Sequence, residues 1–271
     1  MTETESHLGD FSKANSYQRD TIILDSNQLL DIFSPSSIES PFSPPYGTPI
    51  FLDTSAASRL KEWTSSPKSH VLSIAGRHPK GLEPPPMTVL ASMCIEFANS
   101  AKLPVISYFC LLPRQDELRT GNIREEQALL SLAYALIRQL IENLPVQFST
   151  EFGFGKERLD LLNGTLESWH IATALLRDLV DEVPKPLFCI IDGFQLLNSW
   201  KTEGLFGDFF KALRGSDSKQ VSEERMKVLV TTTGRSSAVS KHLDAKEMVL
   251  ADRDGAVDSP ARRGGNARLI L

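Results

Sequence analysis

Two glycines and the residues that follow them are the first candidates for chemistry. Gly76 closes the apolar run VLSIAG, and Gly81 follows it at Gly-x-x-x-x-Gly spacing. A loop of this spacing between a strand and a helix binds phosphate because backbone N–H groups converge on the phosphate oxygens, and glycine permits that approach. The pattern then requires a lysine and a serine or threonine, but Leu82 and Glu83 occupy those positions. A carboxylate repels phosphate and leucine donates no hydrogen bond, so this register lacks the required cation.

A second register counts from the start of the helix that follows the loop. It puts Met87 where the lysine belongs and Thr88 where a magnesium-binding hydroxyl belongs. The three prolines at 84–86 remove three backbone donors from the same region. Lys80 and Arg77 are loop cations that would have to supply the charge from a different geometry. Because a charge-assisted hydrogen bond contributes about 1.5–3 kcal/mol, the missing lysine is expected to weaken phosphate binding by about ten- to a hundredfold.

The second candidate is Asp192, which ends the apolar run PLFCIID and precedes Gly193. Proteins that bind nucleoside triphosphates hold magnesium with an acid in this position, directly or through water. The alternative is an aspartate that caps a turn with the glycine, and the residues alone do not decide between the two. No second acid follows nearby, and Gln195 is a weak substitute for the group that orients water in a hydrolase.

The third candidate is the polar segment TTTGRS at 231–236, which follows the apolar run KVLV. Its threonines and Arg235 have the chemistry to sense a γ-phosphate, and the alternative is an ordinary polar loop after a buried strand. The five histidines are scattered without metal-ligand spacing, so the sequence indicates a metal ligand at Asp192 alone.

These residues need a scaffold, and strand patterns alternate with helical patterns along the chain. Continuous apolar runs predict buried strands, and apolar residues at i, i+3 and i+4 predict amphipathic helices. The alternation predicts an α/β fold: a three-layer parallel sheet of about five strands with helices on both faces. The carboxyl ends of such strands are where ligands gather. The predicted strands are 71–76, 103–112, 186–192, 227–233 and 247–251, and the predicted helices begin at Asp53 or Thr54 and at 87, 124, 165 and 205.

Composition divides the chain into three parts. Residues 1–45 are predicted to be disordered or weakly ordered, because the Ser- and Pro-rich stretch 34–49 buries little surface. Within them, TIILDSNQLLDIF is either an element that docks on the body or a partner-binding segment. Residues 46–251 are the predicted α/β domain, and the Gly- and Arg-rich stretch 252–271 is predicted to be a disordered tail.

Charge and cysteine usage exclude several classes of function. The net charge of −5 offers no basic field for nucleic acid or an anionic membrane, and the longest apolar stretch, 105–112, is too short to span a bilayer. The three cysteines lie in apolar runs without CxxC spacing, which predicts buried thiols in a reducing compartment. Together with a polar, acidic N-terminus, this predicts a cytoplasmic protein without nucleic-acid or membrane partners.

Taken together, the motifs resemble the nucleotide-binding domain of STAND-class P-loop NTPases, in particular the NACHT-like proteins of filamentous fungi. The resemblance rests on RLKEW before the first strand and on VLSIAG, VISYFC, LFCIIDG and VLVTTTGR, and it covers about residues 50–250. That family carries an intact phosphate loop, an acidic GLDE segment and a TSR segment. Here the lysine is missing, GFQLL replaces GLDE and TTTGR replaces TSR.

The resemblance implies ATP and magnesium as cofactors. The departures favour a degenerate domain that acts as a signalling or scaffold module with protein partners and weak or no NTP hydrolysis. Two alternatives stay open: a slow ATP- or GTP-binding NTPase with a non-standard loop cation, and a fragment or decayed paralogue without a role of its own. The residues implied around the nucleotide are Gly76, Lys80, Gly81, Thr88, Asp192 and Arg235, with Asp192 on the metal side.

Overall fold

The computed structural model describes residues 15–43, 50–67, 71–77, 84–119, 121–216, 226–251 and 266–269. The strands in these ranges are β1 (Asn15–Gln18), β2 (Ile50–Asp53), β3 (Val71–Gly76), β4 (Val105–Phe109), β5 (Gln147–Thr150), β6 (Phe188–Asp192), β7 (Lys227–Thr233), β8 (Met248–Leu250) and β9 (Asn266–Leu269). The α-helices are α1 (Arg19–Asp25), α2 (Thr54–Ser65), α3 (Pro86–Ser100), α4 (Arg124–Glu142), α5 (Lys156–Leu159), α6 (Trp169–Glu182), α7 (Phe206–Leu213) and α8 (Ser237–His242).

Five of these strands form one parallel sheet in the order β4-β6-β7-β3-β8. They are the five strands predicted from the sequence, and helices cover both faces of the sheet. The predicted fold class, an α/β three-layer architecture of the P-loop NTPase-like kind, is confirmed. The register pairs Phe109 with Asp192, Asp192 with Thr231, and Gly76 with Thr233, so the carboxyl ends of four strands are level at one edge.

The two faces of the sheet pack against different helices, and successive strand residues alternate between them. On β6, Phe188 and Ile190 join a cluster with α2 and α3, whereas Cys189 and Ile191 join a larger cluster with α4, α6 and α7. We call these the α3 face and the α4 face. Asp192 continues the alternation of Phe188 and Ile190, so its side chain belongs to the α3 face.

Helix α4 is buried on nearly all sides, although its sequence shows a single apolar stripe. The stripe packs on the sheet and on α6, while α1 and the 3₁₀ turn after it cover the remaining side. Polar residues of α4 hold this covering segment in place. Ser131 Oγ donates to the carbonyl of Ile32 at 2.8 Å, and Arg138 Nη1 donates to the carbonyl of Ile23 at 2.6 Å and to the hydroxyl of Ser26 at 2.8 Å.

The prediction that residues 1–45 are disordered or weakly ordered is wrong for 15–43. Ile22, Leu29 and Phe33 are buried in the α4-face cluster, and β1 pairs antiparallel with β5. The segment TIILDSNQLLDIF therefore docks on the body. Composition misled here because the Ser- and Pro-rich stretch outweighed the few apolar residues that α4 buries. Residues 1–14 and 44–49 lie outside the described part of the chain.

At one edge of the sheet, the side chain of Gln139 on α4 takes the place of a neighbouring strand for β4. Its Oε1 accepts from the N–H of Ser107, and its Nε2 donates to the carbonyl of Ser107, both at 2.9 Å. Ser107 Oγ also donates to the carbonyl of Ile38 at 2.7 Å, and Ser40 Oγ donates to Ser92 Oγ on α3 at 2.8 Å. The N-terminal segment thus crosses this edge from the α4 face to the α3 face. An edge blocked in this way is a poor template for pairing with another chain.

Strand β2 leads into α2, and Asp53 caps this helix as predicted, since its Oδ1 accepts from the N–H of Ala56 at 2.7 Å. β2 pairs antiparallel with β9. The predicted disordered tail at 252–271 is therefore wrong at Asn266–Leu269, because these residues pair their backbone with β2; the rest of the tail lies outside the described residues. Within the described ranges, no helix has both the length and the apolar character needed to cross a bilayer.

Replacing Gln139 by leucine is expected to destabilise the fold through the β4 edge. Leucine fills a similar volume but leaves the N–H and the carbonyl of Ser107 unpaired, and each buried unpaired group costs about 1–3 kcal/mol. We expect a lower midpoint of urea denaturation with little change in the slope of the transition. Gln127→Leu is the matched control, because among the described residues this buried glutamine on the same helix makes a single side-chain hydrogen bond, which it accepts from Asn122 Nδ2. A control that loses as much stability as Gln139→Leu would contradict the edge assignment.

Candidate functional site

The carboxylate of Asp192 is the centre of the site, because two threonine hydroxyls converge on it. Thr88 Oγ1, in the first turn of α3, donates to Oδ2 at 2.6 Å, and Thr231 Oγ1, on β7, donates to Oδ1 at 2.5 Å. The backbone is tied at the same place: Cys110 N donates to the carbonyl of Asp192 at 2.8 Å, and Gly193 N donates to the carbonyl of Thr231 at 3.1 Å. These bonds join α3, β4, β6 and β7 at the carboxyl edge of the sheet.

Burial raises the pKa of Asp192, because removal from water disfavours the charged carboxylate. Hydrogen bonds from Thr231, from Thr88 and from the N–H of Gly193 oppose this effect without cancelling it. The residue is 8% exposed. Folding therefore holds a carboxylate in a place that favours its neutral form, and both of its oxygens already accept short hydrogen bonds.

Met87 occupies the position that a phosphate-binding lysine would take in the second register. Its side chain is 4% exposed and lies directly over Gly76 at the end of β3. A Cβ at residue 76 would stand 2.7–2.9 Å from Met87 Cε, Sδ and Cγ, which is closer than van der Waals contact allows. A side chain at residue 76 would therefore force the thioether of Met87 to move. An apolar side chain, not an ammonium group, fills the space above the first strand end.

The segment after β7 is fixed by its own contacts. Gly234 N donates to the carbonyl of Gly76 at 2.6 Å, and Thr233 N donates to Gln195 Oε1 at 3.1 Å. The glutamine that the sequence offered as a weak water-orienting group therefore has its oxygen engaged by the backbone. Arg235 is exposed and lines a cavity on the α4 face, and neither Thr88 nor Asp192 contributes to that cavity.

The fold brings together three of the six predicted nucleotide residues. Gly76, Thr88 and Asp192 lie at the same part of the carboxyl edge on or next to the α3 face. Arg235 is not part of this group, because strand alternation and the loop after β7 carry it to the other face. Lys80 and Gly81 lie outside the described residues, as do Leu82 and Glu83.

The donor set fits magnesium better than it fits a triphosphate. Thr88 and Asp192 supply the oxygen ligands that magnesium prefers. Within the described ranges, however, no group of three or more His, Cys, Asp or Glu side chains could hold a metal ion. For a triphosphate the fit is poor, since Met87 fills the lysine position and Pro84, Pro85 and Pro86 offer no N–H groups.

Two features of the site were missed or misassigned from the sequence. The sequence offers Thr231 as a γ-phosphate sensor, yet its hydroxyl donates to Asp192. The packing of Met87 on Gly76 was not foreseen, although the replacement of lysine by a long apolar side chain was the available signal. The three cysteines are free and buried, as predicted, and burial raises the pKa of Cys94 to about 12.

Gly76→Ala and Met87→Ala are expected to be strongly coupled. The added methyl group must displace Met87, so Gly76→Ala alone should destabilise the fold by about 1–3 kcal/mol. In the Met87→Ala background the space is free, so Gly76→Ala should leave the free energy of unfolding almost unchanged. Denaturant unfolding of the two single variants and the double variant measures the coupling. An equal cost of Gly76→Ala in both backgrounds would show that the glycine serves another purpose.

Asp192→Asn is expected to change how stability depends on pH. With a folded-state pKa above the unfolded value, Asp192 stabilises the protein most at low pH, and this contribution is lost as pH rises through the folded-state pKa. The asparagine variant lacks that loss. Its unfolding free energy relative to wild type should therefore increase between about pH 4 and pH 7. Thermal unfolding across this range tests the sign, and a difference that falls with pH would refute it.

One comparison with known proteins identifies a family. No curated protein and no solved structure matches the chain. The family model described as nephrocystin 3, N-terminal, matches residues 53–233, which run from the cap of α2 to the end of β7 and include Gly76, Thr88 and Asp192. This range is more than half of the 271 residues. The chain belongs to the nephrocystin 3 N-terminal family.

Proposed function

We propose that this chain is a degenerate nucleotide-binding-fold domain of the NACHT or STAND type that acts as a signalling or scaffold module with weak or no NTP hydrolysis. The observation that carries the proposal is the buried side chain of Met87 packed over Gly76. Phosphoryl transfer depends on cations placed to stabilise charge on the transferred group. At the place where this fold carries such a cation, the chain has a side chain that stabilises its own core.

The state of Asp192 supports the same proposal. Its carboxylate is buried and accepts hydrogen bonds from two hydroxyls, which join α3 and β7 to the end of β6. Gln195, which the sequence offers to orient water, accepts a hydrogen bond from the N–H of Thr233. Asp192 and Gln195 thus both have structural partners within the protein.

Protein partners are part of the proposal, and exposed apolar side chains support it. Leu111 follows β4, and Leu196 and Trp200 follow β6, so all three lie in segments beyond the carboxyl ends of neighbouring strands. Trp200 is 83% exposed. Large apolar side chains in water favour association. The buried free thiols are consistent with the cytoplasmic location that we propose with this function.

A slow ATP- or GTP-binding NTPase is the second candidate, and the contact between Thr88 and Asp192 favours it. A hydroxyl at the start of α3 within 2.6 Å of a carboxylate on β6 is the arrangement that would hold magnesium beside a β-phosphate. Under this hypothesis, Lys80 or Arg77 in the loop supplies the cation that binds phosphate.

Titration of a fluorescent ATP analogue with magnesium separates the two candidates. We expect no saturable binding to wild type in the micromolar range. Met87→Lys restores the cation and should strengthen binding by about ten- to a hundredfold, whereas Met87→Leu, the matched apolar control, should not. Asp192→Ala should abolish the gain made by Met87→Lys.

The wild-type result decides the question even if the buried lysine prevents folding. Micromolar binding to wild type that Asp192→Ala removes would overturn the scaffold proposal and establish the second candidate. Circular dichroism of each variant serves as the folding control.

A further inference from the structure

A cavity of about 600 Å³ lies on the α4 face between β3, β8 and α8. Its volume is in the range of sites for small molecules, about 300–1,000 Å³. Val239 and Met248 supply apolar wall, and Ser236, Ser237 and Ser240 supply hydroxyl groups. The cavity thus has the mixed lining of a ligand site: mostly apolar, with a few polar groups.

The cavity is separate from the site around Asp192. Ser73 and Thr232 line it, and both alternate with residues of the α3 face: Leu72 and Ile74 on β3, and Thr231 on β7. The parallel sheet itself stands between the two places. A ligand here would not touch Asp192.

The cavity wall includes a serine hydroxyl without a protein partner among the described residues. Ser73 is 3% exposed, and no residue in the described part of the chain hydrogen-bonds to its side chain. The neighbouring hydroxyls are satisfied: Thr232 Oγ1 donates to the carbonyl of Gly234 at 2.9 Å, and Ser236 Oγ accepts from the N–H of Val239 at 3.4 Å. A hydroxyl that no protein group engages can donate a hydrogen bond to a bound ligand and accept one from it.

Arg235 supplies the charge. Among the described residues it is the only charged side chain that lines the cavity, and it makes no ion pair or hydrogen bond with any of them. A guanidinium group pairs with a carboxylate or phosphate through two parallel hydrogen bonds. The nearby Glu247 is already paired with Arg214 at 3.0 Å.

We propose that this cavity binds a small organic anion, with its apolar body between β3, β8 and α8, its carboxylate or phosphate on Arg235, and a polar atom within reach of Ser73. The proposal is independent of the scaffold function, because it involves neither the phosphate loop nor Asp192. It assigns to Arg235 a role different from that of a γ-phosphate sensor.

A pair of dyes tests the proposal. 1-Anilinonaphthalene-8-sulfonate has an aromatic body and one anionic group, and N-phenyl-1-naphthylamine has the same body without the charge. We expect saturable binding of the sulfonate dye at one site per chain. Arg235→Gln should weaken it by about tenfold or more, and should leave the neutral dye unchanged.

Two further variants locate the site. Ser240→Trp, an exposed lining position, should fill the cavity and abolish binding of both dyes while the melting temperature stays near that of wild type. Arg124→Gln removes an exposed arginine elsewhere and should have no effect on the binding of either dye.

Displacement of the sulfonate dye by octanoate supports a carboxylate ligand, and displacement by phenyl phosphate supports a phosphate ligand. Binding that does not saturate, that survives both Arg235→Gln and Ser240→Trp, or that neither anion displaces at millimolar concentration would overturn the proposal.

Discussion

A single buried carboxylate determines the arrangement of the carboxyl edge of this sheet. Asp192 cannot be buried without hydrogen-bond partners, and its two oxygens are satisfied by Thr88 from α3 and Thr231 from β7. The bond to Thr88 fixes the first turn of α3 against the end of β6. The preceding residue, Met87, is thereby placed over Gly76 at the end of β3. The carboxyl edge is thus held by a hydrogen-bonded and packed joint between one helix and three strands.

The N-terminal segment belongs to the same folded body, although it precedes the range matched by the family model. It covers the outer side of α4, where Arg138 and Ser131 bind its backbone carbonyls. It then crosses the β4 edge beside Gln139. A long helix of a three-layer fold is ordinarily half exposed; here a preceding stretch of chain buries the other half. The polar residues of α4 are therefore internal contacts and not a solvated face.

The two faces of the sheet have different chemistry at their carboxyl edge. On the α3 face, Thr88 and Thr231 both donate to Asp192, which suits a structural role. On the α4 face, Ser73 and Arg235 lack partners among the described residues and line an open cavity. Parallel strands place alternate residues on opposite faces, so one short sequence such as TTTGR contributes to both. Thr231 donates a hydrogen bond to Asp192 on the α3 face, while Thr232 and Arg235 line the cavity on the α4 face.

The sequence by itself determined the α/β class, the five parallel strands and the helices between them, because continuous apolar runs and helical spacing are local patterns. It also determined that no lysine stands at either register of the phosphate loop. Tertiary structure decided which residues meet. Packing placed Thr88 next to Asp192 and Arg235 on the other face. It also docked the segment 15–43, whose composition indicated weak order, by burying Ile22, Leu29 and Phe33. These outcomes depend on contacts between residues about 40 to 115 positions apart, such as Arg138 with Ile23, which no local pattern encodes.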